Sequence, residues 1–129
     1  MCILNKNDVE EIVNLTVLKL KMAGLMKDDR KSAYQKTEAL LRNYNTFKKV
    51  TDKKSTKKIV HKIEQALDEI KDDLYFEIIP MIFFQNCTRE YVADYFDTST
   101  KTITRNKNRL VNQLKLRLFS DDVIFELFL

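Results

Sequence analysis

From Asp8 onward apolar residues return at helical spacing, with Val9, Ile12, Val13, Thr16 and Leu20 on one face and Leu15, Leu18, Met22 and Leu25 on a second. A helix apolar on two sides needs two partners, which the rest of its domain or a second subunit can supply. Gly24 is placed to end it. A second amphipathic helix is predicted over about 29–50, where Ala33, Thr37, Leu40, Leu41, Tyr44 and Phe47 recur at three- and four-residue spacing. The polar, lysine-rich stretch 51–55 reads as a linker. A third helix over about 56–71 carries Ile59, Ile63, Ala66, Leu67 and Ile70 on one face. Asp73 can cap a fourth, bearing Leu74, Ile78, Ile79, Ile82 and Phe83, with a kink or restart near Ile79 because Pro80 lacks an N–H and crowds the preceding turn.

The pattern then shortens. Thr88 is a good cap for a short helix over 89–96 whose inward residues are Val92, Ala93 and Phe96. Asp97 and Thr98 make a tight turn, and Ser99 caps the next helix. With Arg89 as position one of a helix-turn-helix, Ala93 falls at position five, where a small side chain lets two helices cross closely. Ile103 falls at position fifteen, where an apolar residue fills the angle between them.

At 100° per residue the second of these helices places Ile103, Leu110, Leu114 and Leu118 on one face. Lys101, Arg105, Asn108 and Asn112 occupy the opposite one, flanked by Thr102 and Arg109. Arg and Lys can make paired hydrogen bonds to guanine and Asn to adenine, so this face has the chemistry of base readout in a major groove. Ser99, Thr100 and the free N–H groups of the first turn suit a phosphate. The alternative is a solvated face whose charges serve solubility.

Leu116 and Phe119 interrupt that polar face. The tail with Val123, Ile124, Phe125, Leu127, Phe128 and Leu129 is apolar on nearly all sides after Asp121 and Asp122. It must pack on the amino-terminal helices or on a second copy, and a homodimer fits the way helix-turn-helix proteins read two half-sites one helical turn apart.

Composition narrows the class. One Gly and one Pro in 129 residues nearly exclude a sheet-rich fold or a phosphate-cradling loop. The expected fold is all-α, with five to seven helices. Cys2, Cys87 and the single histidine, His61, make neither a disulfide framework nor a zinc site. No nucleophile motif or paired carboxylate accompanies them, so the chain is read as a non-enzyme with no cofactor. His61 is expected at a helix surface or boundary. With no leader pattern and a longest apolar run of only Ile78 to Phe84, the chain is expected in the reducing cytoplasm, without a membrane partner.

The net charge of +4 hides a strong division. Residues 1–30 are neutral, 31–62 carry +8, 63–97 carry −7 and 98–129 carry +3, with six basic and no acidic residues between 98 and 120. The lysines from Lys48 to Lys62 are either a solvated surface or an auxiliary phosphate contact. The organisation expected is an amino-terminal helical association region, 1–52, and a DNA-binding region, 53–129, with the helix-turn-helix at about 88–118.

The segment TREYVADYFDTSTKTITRNKNRLVNQLKLRLF resembles the DNA-binding half of sigma region 4, and more closely the ArpU and RinA type of bacteriophage late transcription regulators. The likeness rests on Ala93, Phe96, Ser99, Ile103, Leu110 and Leu114, with Arg105 and Asn106 following Ile103. It extends more loosely to Glu38, Leu40, Leu41, Asn43, Tyr44 and Phe47 and to Ile78, Ile79 and Phe83, covering roughly residues 30–120. Asp97 stands where such motifs often have Gly, and Thr98 where an aliphatic residue is usual; Asp tolerates the left-handed conformation and Thr is shaped like Val. The resemblance implies a phage or prophage activator of late genes, acting in a bacterial cytoplasm on double-stranded DNA, with RNA polymerase as a further partner. Its rivals are a sigma-like polymerase subunit using Tyr34, Tyr44 and Phe47 to melt promoter DNA, an adaptor or inhibitor of a host factor, and a small terminase subunit.

Overall fold

A computed structural model describes the chain over residues 32–49 and 54–119. Five α-helices and one π-helical turn make up the described part: α1 Ala33–Arg42, α2 Tyr44–Lys49, α3 Lys54–Ile70, the π-turn Pro80–Phe84, α4 Arg89–Tyr95 and α5 Thr100–Leu118. No strand occurs among the described residues, and the fold is all-α. The helix expected from Asp8, most of the linker 51–55 and the apolar tail lie outside them.

Ser32 opens α1 with a reciprocal cap. Its hydroxyl accepts from the Gln35 N–H while the Gln35 side-chain oxygen accepts from the Ser32 N–H, both at 3.1 Å. The single helix expected over 29–50 is broken at Asn43, whose side-chain amide donates to the Ala39 carbonyl at 2.7 Å. The Asn43 backbone N–H donates to the same carbonyl at 3.2 Å, and the break lies in the Asn43 backbone at φ −100°, ψ 4°, after which Tyr44 and Phe47 of α2 enter the core. On α3, Ile59, Ile63, Ala66 and Ile70 are buried at the expected spacing.

The fourth helix does not run on from Asp73; helix begins only at Ile78, the restart expected near Ile79. Asp73 does cap, accepting the Tyr75 N–H at 2.9 Å, but it opens a run of tight turns: Phe76, Ile78 and Ile79 each donate to the carbonyl three residues back. Leu74, expected in the core, is 82% exposed as a result. Pro80 then starts the π-turn, where its missing N–H has no carbonyl to reach, and Gln85 closes it on the Pro80 carbonyl. The wide turn puts three successive residues, Met81, Ile82 and Phe83, into the core against α1 and α4.

α5 runs through the centre and packs on α1, α3 and α4. Its Ile103, Leu110, Val111, Leu114 and Leu118 join Leu40, Leu41, Tyr44, Phe47 and the α3 row in one cluster. Buried side chains from both sides of position 52 therefore share a single core.

Candidate nucleic-acid interface

Two short-range caps and one backbone motif build the helix-turn-helix. The Thr88 hydroxyl accepts from the Tyr91 N–H at 3.1 Å, and that of Ser99 accepts from the Thr102 N–H at 3.2 Å. Between them, the N–H of Thr98 reaches the Ala93 carbonyl at 2.9 Å and that of Asp97 the Asp94 carbonyl at 3.1 Å. These are the paired bonds of a Schellman ending, which places Asp97 at φ 52°. Ala93 and Ile103 are both buried in the angle between α4 and α5, as their positions required.

Asp97 is thus a non-glycine residue held in the left-handed region. Asp97→Gly is expected to leave stability unchanged or raise it by up to about 1 kcal/mol, whereas Asp97→Val lowers it by about 1–2 kcal/mol. Urea unfolding of the two variants checks this, and equal midpoints would contradict the assigned turn.

The structure sorts five of the six basic residues of α5, all but Lys115, into two groups. Lys101 and Arg105 are exposed and line a shallow depression with Thr100, Thr104, Asn108 and, from the start of α4, Arg89. Arg89 Nη1 donates to Thr104 Oγ1 at 3.1 Å, which fixes this third cation beside the other two. Among the described residues no carboxylate lines the depression. Asn112 is exposed one turn beyond Asn108.

The other group is structural. The Arg109 guanidinium grips Asp73 through both carboxylate oxygens, at 2.7 and 2.9 Å, and also donates to Asn106 Oδ1. Arg109, expected to flank the reading face, is committed to the turn after α3. Lys107 pairs with Glu38 of α1 at 3.1 Å, and Arg117 pairs with Glu69 of α3. Sequence charge alone does not separate these residues from Lys101 and Arg105, because their carboxylates lie 36 to 69 residues away.

The hydroxyls of Ser99 and Thr102 are 3.0 Å apart and hydrogen-bonded to each other, so they hold the first turn of α5 in shape. The first-turn N–H groups at Thr100 and Lys101 have no carbonyl within the helix and remain the anion-facing feature of this end. Arg89 is the one lining cation that sequence reasoning missed. Its signal is its place at the first position of α4, but only the helix crossing reveals that this lies against Thr104.

The ion pair to Arg109 holds the Asp73 carboxyl below its ordinary value of 3.8, assisted by the Tyr75 N–H and opposed by desolvation. A carboxyl lowered in the folded state contributes stability in full above its unfolded value and loses it as the pH falls through the folded one. The contribution of this partly exposed pair is about 0.5–1 kcal/mol at neutral pH, fading below about pH 5. Asp73→Asn is expected to flatten that limb of a stability-against-pH curve measured by urea unfolding; an unchanged slope would contradict it.

Away from this face, Lys48, Lys49, Lys57 and Lys58 are exposed, with the Lys48 ammonium 5.6 Å from the centre of the Tyr44 ring. His61 is exposed on α3, as expected. Tyr44 and Phe47, which a strand-melting role would require at the surface, are in the core. Among the described residues no group of three His, Cys, Asp or Glu side chains could hold a metal, and no helix is long and apolar enough to cross a membrane. Neither protein-family models, nor curated proteins, nor solved structures show a match to this chain.

Proposed function

We propose that this protein is a sequence-specific double-stranded DNA-binding transcriptional regulator that lays α5 in the major groove. The observation that carries the reading is the convergence of Arg89, Lys101, Arg105 and Asn108 on one exposed surface of a helix-turn-helix that no carboxylate among the described residues lines. Lys101, Arg105 and Asn108 have the donors that base edges require. Arg89 and the first turn of α5 are placed for the phosphates on either side. The resemblance to late regulators of bacteriophages extends the proposal to a phage or prophage activator working with RNA polymerase in a bacterial cytoplasm. The apolar tail extends it to a homodimer.

Footprinting of wild type and Arg105→Ala on fragmented genomic DNA from the source, near physiological salt and without polymerase, tests the reading. Occupancy of a few sites with a shared half-site spacing, lost in the variant, is the expected result. Uniform binding, or identical footprints, would overturn it.

One observation favours a second reading, a protein-interaction module. Tyr91 and Tyr95 lie one turn apart on α4, 60% and 62% exposed, beside the exposed Glu90 and Asp94. Such a module would bind unrelated duplexes alike, weakly and with a steep salt dependence.

A further inference from the structure

Tyr34 belongs to α1, outside the helix-turn-helix, yet its hydroxyl donates to Asn108 Oδ1 at 2.7 Å. The contact is held in place from behind. Glu38, one turn further along α1, pairs with Lys107, the neighbour of Asn108, and α1 packs on α5. The Tyr34 ring is half-buried against the core.

An asparagine amide carries an acceptor oxygen with two lone pairs at one end of its plane and an NH2 group with two donors at the other. Its paired contact with adenine uses both, the oxygen accepting from N6 and the nitrogen donating to N7. Guanine presents two acceptors, N7 and O6, and asks only for donors. With one lone pair of Oδ1 held by the Tyr34 hydroxyl, the amide is fixed in one orientation, and its N–H groups have no partner among the described residues. We propose that Tyr34 is a positioning residue for specificity, which makes Asn108 read through its N–H groups and select guanine over adenine at the base it faces.

This inference rests on the DNA-reading function proposed above. Burial, with Glu38 adding to it and Arg42 opposing, pushes the Tyr34 phenol up to about 12, so the hydroxyl keeps the proton it donates at neutral pH. The other two asparagines of α5 mark the contrast. Asn106 is spent internally, donating to the Thr102 carbonyl and accepting from Arg109. Asn112 is exposed, and nothing among the described residues orients its amide, so it retains the adenine-compatible choice.

The test is selection from randomised duplexes by the full chain as wild type, Tyr34→Phe, Asn108→Ala and the double variant. Asn108→Ala identifies the base that Asn108 reads, as the position whose preference disappears. Wild type is expected to favour guanine over adenine there by about tenfold, and Tyr34→Phe to bring the two within about twofold of each other. Preferences elsewhere and the thermal midpoint should stay as in wild type. Adding Tyr34→Phe to Asn108→Ala should change nothing at that base, an outcome that loss of structural support would not produce. An adenine preference in wild type, an unchanged guanine preference in Tyr34→Phe, or an equal weakening on all sequences would each overturn the positioning role while leaving DNA reading intact. Failure of wild type to enrich any sequence would overturn both.

Discussion

Phe47→Ala is expected to lower stability by about 3–5 kcal/mol and to unfold the helix-turn-helix together with α2 in a single transition. Phe47 is fully buried, in the same cluster as Ile63 of α3 and Leu110 and Leu114 of α5. It sits on a helix of only six residues, which cannot persist without tertiary support. Removing the ring leaves a cavity at the meeting point of elements that are distant in sequence, and a domain this size has only about 5–15 kcal/mol in total. Urea unfolding followed by far-ultraviolet circular dichroism gives the answer. Two separated transitions, with α5 surviving the first, would mean that residues 33–49 are an appendage and not part of the unit that carries the helix-turn-helix.

The second large effect is on binding. Arg105→Ala and Lys101→Ala are each expected to weaken the specific complex by about 1–3 kcal/mol while leaving the unfolding midpoint in place, since both side chains are exposed. A base-reading contact and a phosphate contact are separable: losing the first relaxes preference at one position, and losing the second weakens all sequences and lowers the salt slope by about one. Arg105 and Lys101 are expected to behave in the first way and Arg89 in the second. Arg109→Ala is the internal contrast, because it leaves Asp73 without its partner and should alter stability and its acid limb but not base preference. Fluorescence anisotropy on a specific and an unrelated duplex, across a salt series, distinguishes these outcomes. Equal effects of Arg105→Ala and Arg109→Ala would remove the distinction between reading and scaffold cations.

Where local chemistry decides, the chain was legible. Thr88 and Ser99 are caps because a short hydroxyl reaches a first-turn N–H wherever a helix starts after them. Asp97 holds the turn because the Schellman ending needs a left-handed residue and Asp is among the few that accept it. The buried rows on α3 and α5 follow from the 3.6-residue period alone.

Elsewhere a non-local contact or an irregular stretch of backbone prevails. Asn43 reads as another polar position on one helix, but it ends α1 as a C-cap, with its backbone N–H and its side-chain amide both on the Ala39 carbonyl. Leu74 has the spacing of a core residue, yet the tight turns that precede Pro80 carry it outward. The candidate face shows the same division. Periodicity placed Lys101, Arg105, Asn108 and Asn112 on one side of α5, because side-chain direction along a helix is a local property. Which cations are free is not local: it depends on Asp73, Glu38 and Glu69 reaching α5 from other elements. So does the hydroxyl of Tyr34, 74 residues from the amide it orients. Helix ends, turn conformation and facial sidedness are settled by bonds spanning a few residues and could be read in order along the chain. Pairing between distant charges and amides is settled by packing, because such bonds form only once a shared core has brought their helices together.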